Sequence, residues 1–225
     1  MIRDVDINEI SDGKKYRSSD LVKIGCSDCA GCSDCCRQVE DTILLDPYDL
    51  YQLQVGIGET FDSLLLKNPS PVIELGIADG LLLPHLKVNN DKGACPFLDT
   101  AGRCSIHAYR PGFCRLYPLG RIYEDNGFKY FIQIHECPYP NKTKVKIKKW
   151  LNIDNLPQYE TFTLKWHDLL EIKRKEMNNI TDQSERSKYM VDFLKQFYQT
   201  PYDISRSFYE QFNERLNSDS CSFPE

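Results

Sequence analysis

Ten cysteines in a chain of 225 residues are the feature that most restricts how this sequence can fold. Nine of them lie between positions 26 and 137, and five fall within eleven residues, at positions 26, 29, 32, 35 and 36. The amino-terminal stretch is charged throughout and lacks the apolar core of a signal peptide, so we expect a cytoplasmic protein. In a reducing compartment, this density of cysteine indicates metal binding or catalysis more than a disulfide framework.

The first group of cysteines has a regular spacing. In the pattern C-x-x-C-x-x-C-x-x-C-C, steps of three residues let a tight loop or helical turn aim several thiolates at one point. The residues between them are small or turn-forming, which leaves room for backbone N–H groups to face the sulfurs. Cys35 and Cys36 are adjacent, so we expect them to point in different directions. The alternative is a set of buried thiols with one structural disulfide.

A second cysteine block covers residues 94–120, and two arginines flank its last cysteine. Arg110 and Arg115 lie on either side of Cys114. Four thiolates around Zn²⁺ or around a [4Fe–4S]²⁺ core leave a net charge of about −2, which favours nearby guanidinium groups. The sequence therefore predicts that both arginines support a bound metal cofactor, and the alternative is that they are ordinary surface or turn residues.

The two groups together resemble the CxxCxxCC cysteine-cluster family, also called YkgJ-like, whose members are described as zinc- or iron-chelating domains. The motifs that carry the resemblance are Cys29-x-x-Cys32-x-x-Cys35-Cys36, CPFL at 95–98, Cys104-Ser-Ile-His107, the run 110–118 and Cys137-Pro138. The resemblance implies eight metal ligands, which are Cys29, Cys32, Cys35, Cys36, Cys95, Cys104, Cys114 and Cys137. Cys26 lies outside this pattern, and His107 stands where many relatives carry tyrosine. The family also includes flagellin lysine N-methylases, so a lysine-modifying enzyme using S-adenosylmethionine is a second implication.

The type of metal is left open by the spacing. An all-sulfur ligand set suits zinc or iron–sulfur and disfavours magnesium, calcium and manganese. The closely stepped cysteines and the Cys-Pro pairs favour an iron–sulfur cluster, with [4Fe–4S] first, whereas C-x-x-C pairs are also typical of structural zinc sites. Three histidines, His85 in a predicted loop, His135 and His167, are expected to be packed or exposed rings instead of ligands.

The rest of the chain predicts an α+β fold, in which an irregular, metal-stapled cysteine-rich domain with short helices and a β-hairpin precedes a C-terminal helical cap. We divide the chain into a polar arm (1–22), a metal-binding domain (23–140), and a basic linker with a three-helix cap (141–225). Asp46-Pro47 predicts the start of a short helix, and the turn 125–127 predicts a hairpin within 120–135.

The predicted cap contains three helices with aromatic stripes. The first covers roughly 158–177, and the second contains 189–198. The third is predicted from a spacing of four residues that begins at Ile204, with Asp203 as its N-cap. We expect the stripes to pack on each other or on the metal-binding domain, and a protein partner or substrate surface on the cap is the alternative.

Charge and missing motifs exclude several function classes. The chain has 28 Lys and Arg against 33 Asp and Glu, a net charge of −5, which argues against nucleic acid as a partner. No apolar run approaches the ~18 residues of a membrane span, so we expect no membrane partner. There is no Walker A, G-x-S-x-G or H-E-x-x-H motif. Three hypotheses follow, which are a metal-centre protein, a lysine-modifying enzyme, and a metal-handling or redox-sensing module.

Overall fold

Secondary structure is short where the cysteines are dense and becomes longer towards the carboxyl end. The computed structural model describes residues 6–26, 32–37, 39, 43–88, 93–125 and 127–218. The helices of these ranges are α1 Ile7–Ile10, α2 Pro47–Ile57, α3 Phe61–Leu65, α4 Gly112–Leu116, α5 Ile147–Leu151, α6 Leu156–Asn179, α7 Gln183–Leu194 and α8 Phe208–Ser218. The strands are β1 Leu21–Gly25, β2 Ile73–Ala78, β3 Leu81–Leu86, β4 Leu119–Glu124, β5 Gly127–Ile132 and β6 Thr143–Lys146. This arrangement confirms the predicted α+β class with a C-terminal helical cap.

Helix α2 begins at the predicted residue because both of its capping partners are present. The Asp46 carboxylate accepts a hydrogen bond from the Asp49 backbone N–H at 2.9 Å, and the Asp49 carboxylate accepts one from the Asp46 N–H at 3.0 Å. Pro47 occupies the first turn, where its missing N–H has no cost. The helix ends before Gly58, whose φ of 72° lies in the left-handed region.

The described strands form three two-stranded antiparallel sheets. The predicted hairpin is β4–β5, with Leu119 opposite Ile132. The hairpin β2–β3 was not predicted, although its Asp79-Gly80 turn has the two positive φ angles, 51° and 82°, that such a turn requires. The expectation of a loop at His85 is therefore wrong, because this residue lies in β3 and is buried.

The β1–β6 sheet joins the start of the chain to the basic run at 142–149. Val22 pairs with Val145 and Lys23 with Lys144, and α5 follows β6 directly. A Cβ at Gly25 would collide with the Thr143 hydroxyl, so the glycine permits this close pairing. The sheet spans the arm, the metal-binding domain and the linker of the predicted division, which itself stays a prediction.

The C-terminal cap, defined here as α6 to α8, packs through aromatic rings. The Phe162 and Phe212 ring centroids are 4.8 Å apart, and Trp166 lies 5.7 Å from Phe197 in the π-helical turn that continues α7. The third helix begins later than predicted. Ile204 is 55% exposed before α8, and Asp203 binds the N–H of Ser205 instead of capping the helix.

The cap shares one hydrophobic core with the cysteine-rich part. The described core runs continuously from Ile24 and Leu45 to Phe212. The Tyr198 hydroxyl donates to the Leu45 carbonyl at 3.1 Å, directly before the α2 N-cap. Among the described residues, no helix combines the length and the apolar character that a membrane span needs.

Candidate metal centre

Every cysteine that the structure describes lines a single cavity of about 80 Å³, and these residues are Cys26, Cys32, Cys35, Cys36, Cys95, Cys104, Cys114 and Cys137. Seven of the eight predicted ligands are therefore brought together. The remaining one, Cys29, lies outside the described residues, as does Cys221. Cys26, which the family pattern leaves out, is on the same wall.

The first cysteine group is connected to the second by backbone hydrogen bonds. Cys35 and Cys36 lie in a 3-10 turn, Asp34–Cys36. The N–H of Cys95 donates to the carbonyl of Cys36 at 2.9 Å, and the N–H of Val39 donates to the carbonyl of Gly93 at 3.0 Å. These two bonds hold the turn beside the start of the second block.

A tight loop brings Cys95 and Cys104 to the same side of the cavity. Leu98 forms an isolated bridge with Cys104, and the N–H of Asp99 donates to the carbonyl of Arg103 at 2.8 Å. The Asp99 carboxylate also accepts from the Arg103 N–H at 2.7 Å. A turn at 100–102 thus closes a loop that has these two cysteines at its base.

Cys114 lies in α4, and contacts with α2 and α6 fix the position of this helix. The N–H of Gly112 donates to the buried Asp49 carboxylate of α2 at 2.7 Å. A Cβ on Gly112 would collide with the Tyr159 hydroxyl of α6, so glycine allows α4 to lie close to the cap. The α2 capping carboxylate therefore also positions a cysteine of the site.

Cys137 reaches the cavity from the segment after β5. Its carbonyl accepts a hydrogen bond from the Lys142 ammonium at 2.6 Å. The Tyr117 hydroxyl donates to the neighbouring Glu136 carbonyl, and the Trp150 indole donates to the Tyr117 carbonyl at 3.0 Å. These contacts attach the segment to α4 and α5.

Four of the thiols form a mutually interacting group, which we name the thiol quartet: Cys35, Cys95, Cys104 and Cys114. Burial raises the pKa of Cys95 to about 11 and raises the pKa of Cys104 and Cys114 above the ordinary value. For Cys35 the pKa is raised first by a hydrogen bond with Cys36 and then by burial. In all six pairs of the quartet, charge on one sulfur raises the pKa of the other. Because charge on each of these sulfurs opposes charge on the others, the four thiols lose their protons together only when a cation accompanies them.

The two predicted arginines lie in different places. Arg110 lines the cavity, contacts the His107 ring, and its charge acts to lower the pKa of Cys35 and Cys104. Arg115 is buried and does not line the cavity. Its guanidinium donates to backbone carbonyls, at 3.0 Å to Arg110 and 2.9 Å to Asn152. That Arg115 supports a cofactor stays a prediction. The hydrogen bonds of Arg115 connect the backbone of two separate segments of the chain.

The histidines also differ in whether they line the cavity. His107 lines the cavity, whereas His85, His135 and His167 do not. The His167 ring stacks on Tyr123 with centroids 3.5 Å apart. Of the four histidines, His107 is thus the one placed beside the thiols.

The donor set fits a thiophilic metal. Thiolate sulfur selects zinc or iron–sulfur over magnesium, calcium and manganese, and the wall supplies eight described sulfurs. Within the described part of the chain, no three His, Cys, Asp or Glu side chains are arranged to hold one metal ion. The sulfurs surround a space instead of meeting at a point.

A second, open cavity of about 390 Å³ lies next to the first and shares Pro118 and Tyr139 with it. Its other walls include Lys23 of β1, Gln133 after β5, and Lys142. Its volume is within the range of about 300–1,000 Å³ that small-molecule sites occupy.

Comparison with known protein families covers the same stretch of chain. Residues 28–138 match the model of the CxxCxxCC family, whose description reads "Putative zinc- or iron-chelating domain". No curated protein and no solved structure matches the chain. This segment of the chain belongs to the CxxCxxCC family, and it contains all eight predicted ligands while Cys26 lies before it.

Proposed function

We propose that this member of the CxxCxxCC family binds a [4Fe–4S] cluster in the thiol-lined cavity and that the thiol quartet supplies its ligands. The single observation that carries the proposal is the cavity that eight described cysteines line together, the four quartet thiols among them. Four cysteine thiolates are the ordinary ligand set of such a cluster. Cys29, Cys32, Cys36 and Cys137 complete the proposed sulfur-rich site.

The size of the cavity favours a cluster over a single zinc ion. One water needs about 15 Å³ of such space, so the cavity has room for roughly five waters. Four thiolates close on zinc at about 2.3 Å, which leaves no free volume between them. A [4Fe–4S] core holds its cysteine sulfurs further apart because iron and sulfide atoms lie between them. Zinc remains the alternative metal.

The protein contributes ligation, charge compensation and shielding. The quartet comes from a 3-10 turn, a tight loop and α4, so one cluster joins three segments of the chain. Arg110 brings a positive charge to the wall, which stabilises thiolate-bound metal. When bound, the cluster supplies one-electron chemistry.

Exposure of one quartet residue favours a labile or redox-sensing centre as the role of the cluster. Cys35 lies at the exposed surface with its sulfur partly buried, whereas Cys95, Cys104 and Cys114 are half-buried. Solvent and oxidants can therefore reach one corner of the proposed cluster. A cytoplasmic location, which we also propose, would keep the thiols reduced and available.

Serine substitution tests the quartet directly. The Cys114→Ser and Cys95→Ser variants should lose most of their iron and visible absorption after anaerobic purification, since a serine hydroxyl is a poor cluster ligand. Cys221→Ser, outside the family segment, is the matched control and should keep both. Full iron and an unchanged spectrum in both quartet variants would contradict the proposed ligand set.

A second candidate function is the modification of protein lysine with S-adenosylmethionine. One observation favours it, which is the cavity of about 390 Å³ beside the thiol-lined cavity. This cavity lies against β1 and the segment after β5, away from the cap. Titration calorimetry with S-adenosylmethionine should show saturable binding that Lys142→Ala weakens. Absence of a saturable heat at millimolar ligand at two temperatures, since the binding enthalpy can be zero at one of them, would contradict this function.

The cap is the proposed surface for a protein partner. Val191 of α7 is 56% exposed and Ile204 before α8 is 55% exposed, whereas the aromatic stripes are buried in packing. A partner would therefore contact these isolated apolar side chains. Crosslinking from a photoreactive residue at 191 tests this surface, and a matched residue at 148 is the control.

A further inference from the structure

The exposed face of the β1–β6 sheet concentrates positive charge. Leu21 and Lys23 of β1 are exposed, because the strand alternates between solvent and core. Lys146 pairs with Leu21 and Lys144 pairs with Lys23, and both of these β6 lysines are exposed. We name the three lysines of the sheet, together with Lys142 directly before β6, the lysine face. Residues two apart on a strand are about 7 Å apart, which is within the screening length of about 8 Å at physiological salt, so their charges act together.

The lysine face continues into the open cavity of about 390 Å³. Lys23 and Lys142 both line this cavity. Asp12 lines it as well, and its carboxylate already accepts hydrogen bonds from the Tyr16 hydroxyl and from the Lys14 backbone N–H. Two ammonium groups therefore border a space that a carboxylate side chain of a bound molecule can enter.

The charges of the lysine face have no counter-charge within the described part of the chain. None of its four lysines forms an ion pair with a described carboxylate. The Lys142 ammonium instead donates to the Cys137 carbonyl at 2.6 Å. Lys23 and Lys144 are directly opposite each other, and like charges in such positions destabilise a sheet. A negatively charged partner would remove this repulsion.

The composition of the face favours an acidic protein segment over a nucleic acid. Leu21 is 57% exposed and lies opposite Lys146, so the face combines an aliphatic side chain with charges, as protein interfaces do. Proteins that bind single-stranded nucleic acid stack the bases on aromatic side chains, and the exposed positions of β1 and β6 contain none. The net charge of −5 also opposes a long polyanion that extends beyond the lysines.

We propose that the lysine face binds an acidic segment of a partner protein. The segment would lie beside the thiol-lined cavity, because Lys142 bonds to the Cys137 carbonyl and Tyr139 lines both cavities. This surface differs from the apolar surface proposed on the cap. Binding depends on the lysines and not on the metal, so the inference goes beyond the proposed function.

Binding of a labelled acidic peptide tests the lysine face. The probe is a fluorescein-labelled decapeptide of glutamate and leucine, and its anisotropy is measured at low salt with wild type, Lys144→Glu, Lys146→Glu and Lys188→Glu. Lys188 is an exposed lysine of α7, so its variant is a control with the same change in charge. We expect saturable binding that both face variants weaken by about fivefold or more, since an attraction becomes a repulsion, and that Lys188→Glu changes by less than about twofold. Absence of saturable binding, or equal weakening by Lys188→Glu, would overturn the inference.

Two further probes distinguish the class of partner. A labelled single-stranded DNA decamer and vesicles that contain phosphatidylserine are titrated under the same conditions. We expect both to bind more weakly than the peptide, and we expect Leu21→Ser to weaken binding of the peptide but not of the DNA. Tighter binding of the DNA or the vesicles, lost in Lys144→Glu, would overturn the assignment to an acidic protein.

Stability and metal content are measured on the same samples. Lys144→Glu removes a repulsion from the sheet, so we expect it to be at least as stable as wild type, and a folding defect then does not explain its loss of binding. Peptide binding by a wild-type protein that contains no metal would support the lysine face while refuting the proposed function. A metal-containing protein that does not bind the peptide would overturn this inference and leave the proposed function intact.

Discussion

Two arginines that are close to the same cysteine in the sequence have different surroundings in the structure. Arg110 and Arg115 both neighbour Cys114, yet Arg110 faces the thiols whereas Arg115 donates to backbone carbonyls. Sequence distance alone does not separate them. Arg115 lies within α4, whereas Arg110 precedes Pro111 and lies outside the helix.

The Arg110→Gln variant should bind the metal more weakly. Loss of the charge beside Cys35 and Cys104 removes compensation for the negative cluster, and loss of such supporting groups costs roughly 10- to 100-fold in metal affinity. The measurement is the rate of iron release to a chelator. Arg110→Lys should recover part of the loss, and Arg206→Gln, a distant exposed arginine, should behave as wild type. Equal release rates for all variants would refute the role of Arg110.

Metal binding should weaken as pH falls. Burial raises the pKa of Cys95 to about 11 and raises the pKa of Cys104 and Cys114, so at neutral pH these thiols are protonated without metal. Each ligand must lose its proton, so apparent affinity increases with pH by up to about four log units per pH unit for four thiols. Chelator competition with Zn²⁺ as the probe at pH 6.5 and pH 7.5 measures this slope. A slope near zero would mean that the thiols are already ionised.

The β1–β6 sheet contains a like-charge pair that the sequence alone does not reveal. Lys23 and Lys144 are directly opposite each other on the exposed face, because Val22 and Val145 occupy the other face. Directly opposed like charges destabilise a sheet. Lys144→Glu should therefore raise the free energy of unfolding by about 0.2–1 kcal/mol. Urea denaturation measures it, and Lys148→Glu on α5 is the exposed control, which should change stability less. A loss of stability in Lys144→Glu would contradict the pairing.

Local signals in the sequence predicted the elements that depend on neighbouring residues. The Asp46-Pro47 cap and the β4–β5 hairpin are examples, since both are decided within a few residues. The Asp79-Gly80 turn between β2 and β3 is a local signal of the same kind. The four-residue spacing from Ile204 extended past the true start of α8, because spacing does not mark where a helix begins.

The sequence predicted which residues form the candidate site, but not how they come together. The cysteine pattern indicated eight ligands, and the seven described ones do line one cavity. Cys26 has the same three-residue spacing as its neighbours but lies outside the family pattern, and its place on the cavity wall depends on the pairing of β1 with β6, which lie more than a hundred residues apart. The closeness of the quartet likewise depends on contacts between separate segments, such as the bond from Gly112 to Asp49.

At the scale of the whole molecule, the cap supports the metal centre through α2 and α4. Tyr198 of the cap binds the Leu45 carbonyl before α2, and Tyr159 lies against Gly112 of α4. Asp49 connects these two helices through its bond with Gly112. Changes in the cap should therefore reach Cys114 without altering any ligand.

The Phe212→Ala variant tests this connection. Phe212 is 1% exposed and contacts Phe162 and Trp166, so its truncation should lower the free energy of unfolding by about 3–5 kcal/mol. The far-ultraviolet circular dichroism of the fold and the visible absorption of the cluster should then be lost at the same denaturant concentration, which is lower than for wild type. Val191→Ala, at a 56% exposed position, is the control with little effect. A cap that unfolds while the visible absorption persists would show that the two parts are independent.

The most direct test of the account is the composition of the wild-type protein purified without oxygen. Iron, zinc and acid-labile sulfide are measured on one sample together with its visible spectrum. We expect a brown protein with about four iron and four sulfide per chain and with broad visible absorption. A colourless protein with one or two zinc ions per chain, and no sulfide, would contradict the proposed cluster.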